Sequence, residues 1–212
     1  MKKNFYMVPR VNDLEDTKRY RQISKIPYDE LVTFILDYLR RKSGLMVFYW
    51  SFCIILIGLA AYIRINISGY YPLRHIFLHT LLGLAIFPVI IIPVHEFLHI
   101  IPFLTTGAKR IRIGMDLKQY MFYVTAHEHV VNAKQFSLVG FTPFALISAG
   151  LILLIFHVPP LWKWSLSLLL FVHATMCAGD FAMMNFFYLN RDRKLYTWDD
   201  ADKKTAYFYE EI

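Results

Sequence analysis

The apolar positions along this chain are gathered into four long runs, and a membrane span needs roughly 20 largely apolar residues. Leu45–Ile63 is 19 residues without a formal charge, and Ile76–Val94 is another 19 with His79 as its only titratable group. Between Lys134 and Lys163 lie 28 uncharged residues, and between Lys163 and Arg191 lie 27 whose only formal charge is Asp180. Four spans are predicted, over about 45–66, 75–101, 136–158 and 162–189. The alternative is four buried helices of a soluble core. The first run starts too late, and lacks the small-residue cleavage site, for a removed signal peptide.

Between the spans the period changes. Leu31, Phe34, Ile35, Tyr38 and Leu39 recur at three- and four-residue spacing. Asp29 and Glu30 stand at the start of that stretch, and Arg40, Arg41 and Lys42 at its end, as a helix dipole favours. This predicts an amphipathic helix on the cytoplasmic membrane face before the first span. Residues 1–26 are polar and mixed in charge and read as loosely ordered. In 107–131, Arg110-Ile111-Arg112-Ile113 alternates, and Tyr120–Val131 is rich in β-branched and aromatic residues. A short cytoplasmic β-hairpin or small sheet is expected there. The tail 190–212 is polar with aromatics and could pack on the cytoplasmic face. The fold class is therefore an all-α polytopic membrane protein: four transmembrane helices, a small cytoplasmic hairpin and an N-terminal amphipathic helix. Its organisation is a cytoplasmic segment 1–44, a membrane domain 45–189 and a tail 190–212.

Composition agrees with that picture. Of the 212 residues, 57% are hydrophobic and 18% charged, against roughly 25% charged in an ordinary soluble domain. Two cysteines, Cys53 and Cys177, exclude a disulfide scaffold, and both lie in apolar runs where a buried thiol is expected. The net charge of +7 could suggest nucleic acid, but its placement says otherwise. Twenty of the 23 Lys and Arg fall in 1–44, 102–135 and the tail, Lys2, Lys3 and Lys118 among them; only Arg64, Arg74 and Lys163 fall elsewhere. The positive-inside rule then puts both termini and 102–135 in the cytoplasm, in a multi-pass protein of the cell membrane. The bilayer is the partner this implies, not nucleic acid.

The chemistry lies at the end of the second run, in Pro93-Val94-His95-Glu96-Phe97-Leu98-His99. On a helix the i, i+4 spacing of H-E-x-x-H puts both imidazoles on one face, able to chelate one metal ion, with Glu96 able to take a proton from a metal-bound water. Ionisable groups in a span are costly, roughly 2.5–3.5 kcal/mol each on insertion scales, and so call for a reason. The bland alternative is interhelical hydrogen bonding. A third ligand is needed, and Asp180 is the only other acid in a span. If both stretches are helical, it sits at the same depth as His99, roughly 15 Å from the cytoplasmic flank. His173, seven residues before Asp180, is either a buried hydrogen-bonded residue or a partner behind the ligands. His127 and His129 would share one strand face and read as an exposed polar strand, with metal binding as the alternative. His75, His79 and His157 read as interfacial or packing residues.

H-E-x-x-H in a membrane helix, a β segment after it and an Asp in a later span resemble the site-2 protease type of intramembrane metalloprotease. The finer resemblance is to the DUF3267 family, small bacterial membrane proteins of zincin type. It runs from about Ile91 to the tail and is carried by His95-Glu96-Phe97-Leu98-His99, by Ala126-His127 through Gln135-Phe136 to Thr142-Pro143-Phe144, and by Ala178-Gly179-Asp180. It implies His95, His99 and Asp180 as metal ligands and Glu96 as the catalytic acid/base. The Asn-Pro that usually precedes the third ligand in site-2 proteases is replaced here by Ala178-Gly179. The reading is a membrane zinc metallopeptidase with one Zn2+, iron or manganese also suiting the donor set, and a peptide or membrane-protein substrate. Its rivals are a non-catalytic metal-binding scaffold or pseudo-protease, and a metal or proton transporter.

Overall fold

A computed structural model of the protein describes residues 8–116 and 121–212. Lys2, Lys3, Lys118 and Tyr120, used above, lie outside the described residues. The chain is mostly helical: α1 (Leu31–Arg40), α2 (Gly44–Asn66), α3 (Leu73–Leu81), α4 (Phe87–Thr105), α5 (Ala133–His157), α6 (Pro160–Met176) and α7 (Ala178–Leu189). A π-helical turn, Leu82–Ile86, joins α3 to α4 in one 33-residue helix. Three stretches, Gly44–Asn66, Leu73–Thr105 and Ala133–His157, are long and apolar enough to cross a membrane. Helices α6 and α7 would make a fourth span, bent by 42° at Cys177, two residues before Gly179, which permits such a kink.

The helix starts are written in the sequence. The Ser43 hydroxyl accepts the Met46 N–H (3.1 Å) at the start of α2. Asn132 accepts the N–H groups of Lys134 and Gln135 (both 3.0 Å) while the Gln135 side chain accepts the Asn132 N–H (3.1 Å), a reciprocal cap that starts α5 sharply. The helices turn apolar side chains outward as well as inward: Ile54, Ile55, Tyr62, Ile65, Val89, Ile90, Phe97, Leu153 and Phe156 are all exposed. Helices around a soluble core would present polar faces to water. Helices apolar all round suit a hydrocarbon surrounding.

The core between the helices joins Tyr49, Cys53 and Leu56 of α2 to Phe144, Ile147 and Leu151 of α5, Leu170 and Ala174 of α6 and Phe181 of α7. Both cysteines are free and buried, as expected. A close helix crossing is at Gly83 in the π turn, where a Cβ would stand 2.4 Å from the Ser165 carbonyl oxygen and 2.8 Å from Leu168 Cβ. Only glycine lets α6 approach so closely. Beside it the Ser165 hydroxyl donates to the His79 carbonyl (2.9 Å) and accepts from His79 Nδ1 (2.7 Å). His79 is therefore a packing residue of this crossing.

The β structure is more extensive than one hairpin. The expected hairpin is present, β2 (Ile111–Asp116) against β3 (Met121–Ala126), with Ile111 opposite Ala126. In addition β1 (Tyr20–Pro27), β4 (Val131–Asn132), β5 (Leu195–Asp200) and β6 (Thr205–Glu211) form an antiparallel sheet in the order β1-β6-β5-β4. For residues 8–26 this corrects the reading of 1–26 as loosely ordered, since Tyr20 and Ile26 are buried on that sheet, while residues 1–7 lie outside the described residues. It also gives the tail a structural role, because β5 and β6 are the central strands. The sheet caps the end of the bundle where α7 stops and α5 starts: Phe186 and Phe187 of α7 pack with Leu195, Ala206 and Phe208. Helix α1 half-buries Leu31, Phe34, Ile35, Tyr38 and Leu39, the five positions its period picks out. It is tied to α7 by the Asn185 amide, which donates to the Tyr38 and Arg41 carbonyls (2.7 and 3.0 Å).

Candidate metal centre

Helix α4 carries His95, Glu96 and His99. The i, i+4 spacing sets both rings on its inner face, 5% and 7% exposed respectively. Their Nε2 atoms face each other at 3.2 Å. The break at Cys177 re-aims the chain so that Asp180, in the first turn of α7, points at the same place. Its carboxylate oxygens lie 3.3 Å from His95 Nε2 and 3.6 Å from His99 Nε2. Gly140 of α5 lies alongside, where a Cβ would stand at ordinary contact distance, 3.5 Å, from the Asp180 and Met184 side chains.

These spacings fit a metal. Four tetrahedral donors about 2.0–2.1 Å from a zinc ion stand about 3.4 Å apart, and the three distances bracket that value. The outer ring nitrogens fit as well. His99 Nδ1 lies 3.0 Å from the Val139 carbonyl. A carbonyl only accepts, so the proton sits on Nδ1 and the lone pair of Nε2 faces inward. His95 Nδ1 lies 3.3 Å from Nε2 of the fully buried His173. Val139 thus backs His99 as an acceptor, and His173 with its proton on Nδ1 would back His95 in the same way, the arrangement that orients ligating histidines. His173 is the buried, hydrogen-bonded histidine that was one of its two expected readings, and its place beside His95 also fits the other.

His95, His173 and Cys177 form a second possible donor set. It uses the opposite nitrogen of His95, and neither His173 nor Cys177 lines the neighbouring cavity. By contrast His95, Glu96, His99 and Asp180 all line one cavity of about 500 Å3 that extends between α1, α4, α7 and β3 to the sheet. Glu96 is half-buried in its wall, within reach of the Val124 backbone N–H of β3.

Removing the acceptor behind His95 gives a direct test of its role. His173→Leu is expected to weaken zinc affinity by about 10–100-fold, as loss of such partners does, measured by competition with a chromophoric chelator. His173→Gln, which keeps an acceptor, should lie closer to wild type. Equal affinity in all three proteins would make His173 a packing residue only.

The other histidines are elsewhere. Glu128 adopts φ 54°, so the chain turns and His127 and His129 do not share a strand face. This corrects the exposed-strand reading. His127 is 7% exposed and its Nδ1 accepts the Ala201 N–H (3.1 Å). That leaves a protonated Nε2 facing Asp202 at 3.4 Å. The cluster His127, Asp200, Asp202 is thereby a hydrogen-bonded turn, not a donor set with a free lone pair. His129 Nε2 pairs with the Thr106 hydroxyl (3.0 Å), and burial lowers its pKa.

The sequence model of a family described as "Putative zincin peptidase" matches residues 88–194, half the chain, from the first turn of α4 to just beyond α7. The chain belongs to the DUF3267 family. The matched stretch contains His95, Glu96, His99 and Asp180 together with β2, β3 and α5. The DUF3267 match leaves β1, α1 and α2 on one side, and β5 and β6 on the other, outside it. No curated protein and no solved structure matches the chain.

Proposed function

We propose that this protein is an intramembrane zinc metallopeptidase that hydrolyses peptide bonds of membrane or membrane-adjacent substrates. The observation that carries the reading is the convergence of two imidazoles and one carboxylate on a single point, with Glu96 lining the same cavity. Zinc held by His95, His99 and Asp180 would supply Lewis acidity to a water and to the scissile carbonyl.

Glu96 does the proton work. Its carboxylate takes a proton from the attacking water and returns it to the amine nitrogen that leaves. Val139 and His173 hold the two imidazoles against rotation, so that they are oriented before substrate arrives. The apolar side chains of Ile35, Ile92, Phe136 and Met183 line much of the cavity and limit water around the reacting groups. A substrate helix would have to unwind locally to present its carbonyl there, because a helical carbonyl is already hydrogen-bonded.

Three donors, not four, make up this set among the described residues. That ligand count favours a catalytic over a purely structural zinc, and so the enzyme over the scaffold. A transporter would string ionisable groups along a path, whereas here they gather around one centre. The orientation, with the sheet and both termini in the cytoplasm of a multi-pass cell-membrane protein, rests on the twenty-to-three charge split.

Detergent-purified protein is expected to cleave members of a quenched-fluorescence peptide library. Activity should vanish with 1,10-phenanthroline and return with added zinc. Hydrolysis indifferent to the chelator would contradict the proposal.

A further inference from the structure

The cavity does not end at the metal centre. At its sheet end it is lined by Tyr28, Thr125, Thr197 and Asp199. The period of two along β5 turns Thr197 and Asp199 to the cavity and Asp200 away from it. The outward Asp200 is neutralised by Lys203 at 3.1 Å. The inward Asp199 has no such partner, and among the described residues no Lys or Arg lines the cavity. One of its oxygens, Oδ2, accepts the Thr125 hydroxyl at 2.7 Å.

A second observation is independent of the carboxylate. Tyr28 is only 6% exposed, and its hydroxyl lies close enough to Asp199 and Thr125 to interact with both but meets neither in hydrogen-bonding geometry. A buried polar atom without a partner is uncommon and calls for an explanation. Three polar side chains from β3, β5 and the turn after β1 are thus aimed at one place, with hydrogen-bonding capacity to spare. An apolar residue at 199 would close this wall without any desolvation cost. Burial also raises the Asp199 pKa, so an ionised carboxylate here gains strongly from a cation. The same cavity is also lined by the apolar side chains of Ile35, Phe136 and Met183. The whole suits an aliphatic stem that ends in a positive charge.

We propose that Asp199, with Tyr28 and Thr125, forms a subsite that binds a cationic group of the peptide substrate, a Lys or Arg head or the peptide's own amino terminus. The proposal rests on the peptidase reading and adds a specificity to it. Tyr28 and Asp199 lie outside the stretch that matches the family, and Thr125 lies inside it.

The test uses the zinc-loaded full-length protein and Asp199→Asn. Peptides come in matched forms: N-acetylated with one Lys or Arg, N-acetylated with Gln in its place, and the Gln form with a free amino terminus. Wild type is expected to cleave one cationic form about tenfold or more faster than the acetylated Gln peptide, with the charge at a fixed distance from the scissile bond. Asp199→Asn should cut that preference to under about twofold while still cleaving the neutral peptide. Tyr28→Phe should reduce it in part, and stands in if the first variant does not fold. Which cationic form is preferred tells side chain from terminus. No charge preference in wild type, or an equal loss on charged and neutral peptides in the variant, would overturn the subsite. If wild type cleaves nothing, the peptidase reading fails separately, and the subsite is then judged by fluorescence anisotropy. Labelled acetyl-Leu-Lys-Leu-amide should bind wild type about tenfold tighter than its norleucine counterpart, and equal binding would overturn it.

Discussion

Glu96→Gln is expected to lower peptide hydrolysis by about 10²-fold or more, while the protein still folds and retains its metal. Gln keeps the shape and the hydrogen-bonding reach of the side chain but has no basic oxygen. Glu96 is one helical step from His95 and is not among the three converging donors, so the metal does not depend on it. In cells, membrane proteins cut in the presence of wild type should accumulate uncut beside the variant, and a comparison of their fragments by mass spectrometry would also identify substrates. Loss of metal along with activity would make Glu96 a structural residue. Full activity would refute the mechanism, since no other acid in the spans faces the cavity from a comparable position.

Asp180→Ala should have the larger effect on the metal. It removes one of three donors, and zinc affinity is expected to fall by more than about 100-fold, beyond the loss that follows from removing a partner behind a ligand. Alanine keeps the Cβ that packs near Gly140, so helix content by circular dichroism should be unchanged. Affinity unaffected by this change would take Asp180 out of the site and bring His173 and Cys177, the alternative donors beside His95, to the front.

The parts of this arrangement that were legible in the sequence are local or rare. H-E-x-x-H needs only five residues of helix to bring its imidazoles together, and an acid in an apolar run stands out because such groups are costly in a membrane. The face of α1 follows from its period alone. The four-stranded sheet was not legible. Strand β1 pairs with β6 from the other end of the chain, and the register shift between Gln22 and Ser24 breaks the alternation that would have marked it. The bend at Cys177 was legible only in part: Gly179, two residues on, permits a kink, but nothing in the apolar run requires one. Yet it is this bend that aims Asp180. Tyr28 and Asp199 are ordinary polar positions of polar segments, and only the sheet brings them to the cavity.

The central claim is one metal ion between α4 and α7. X-ray absorption at the zinc edge of purified protein, with metal content by mass spectrometry, tests it most directly. The expected result is one zinc per chain in a shell of two imidazole nitrogens plus oxygen at about 2.0–2.2 Å, with no sulfur, and its loss in His95→Ala. A sulfur at about 2.3 Å would move the ion to Cys177, and zinc retained in His95→Ala would contradict the site.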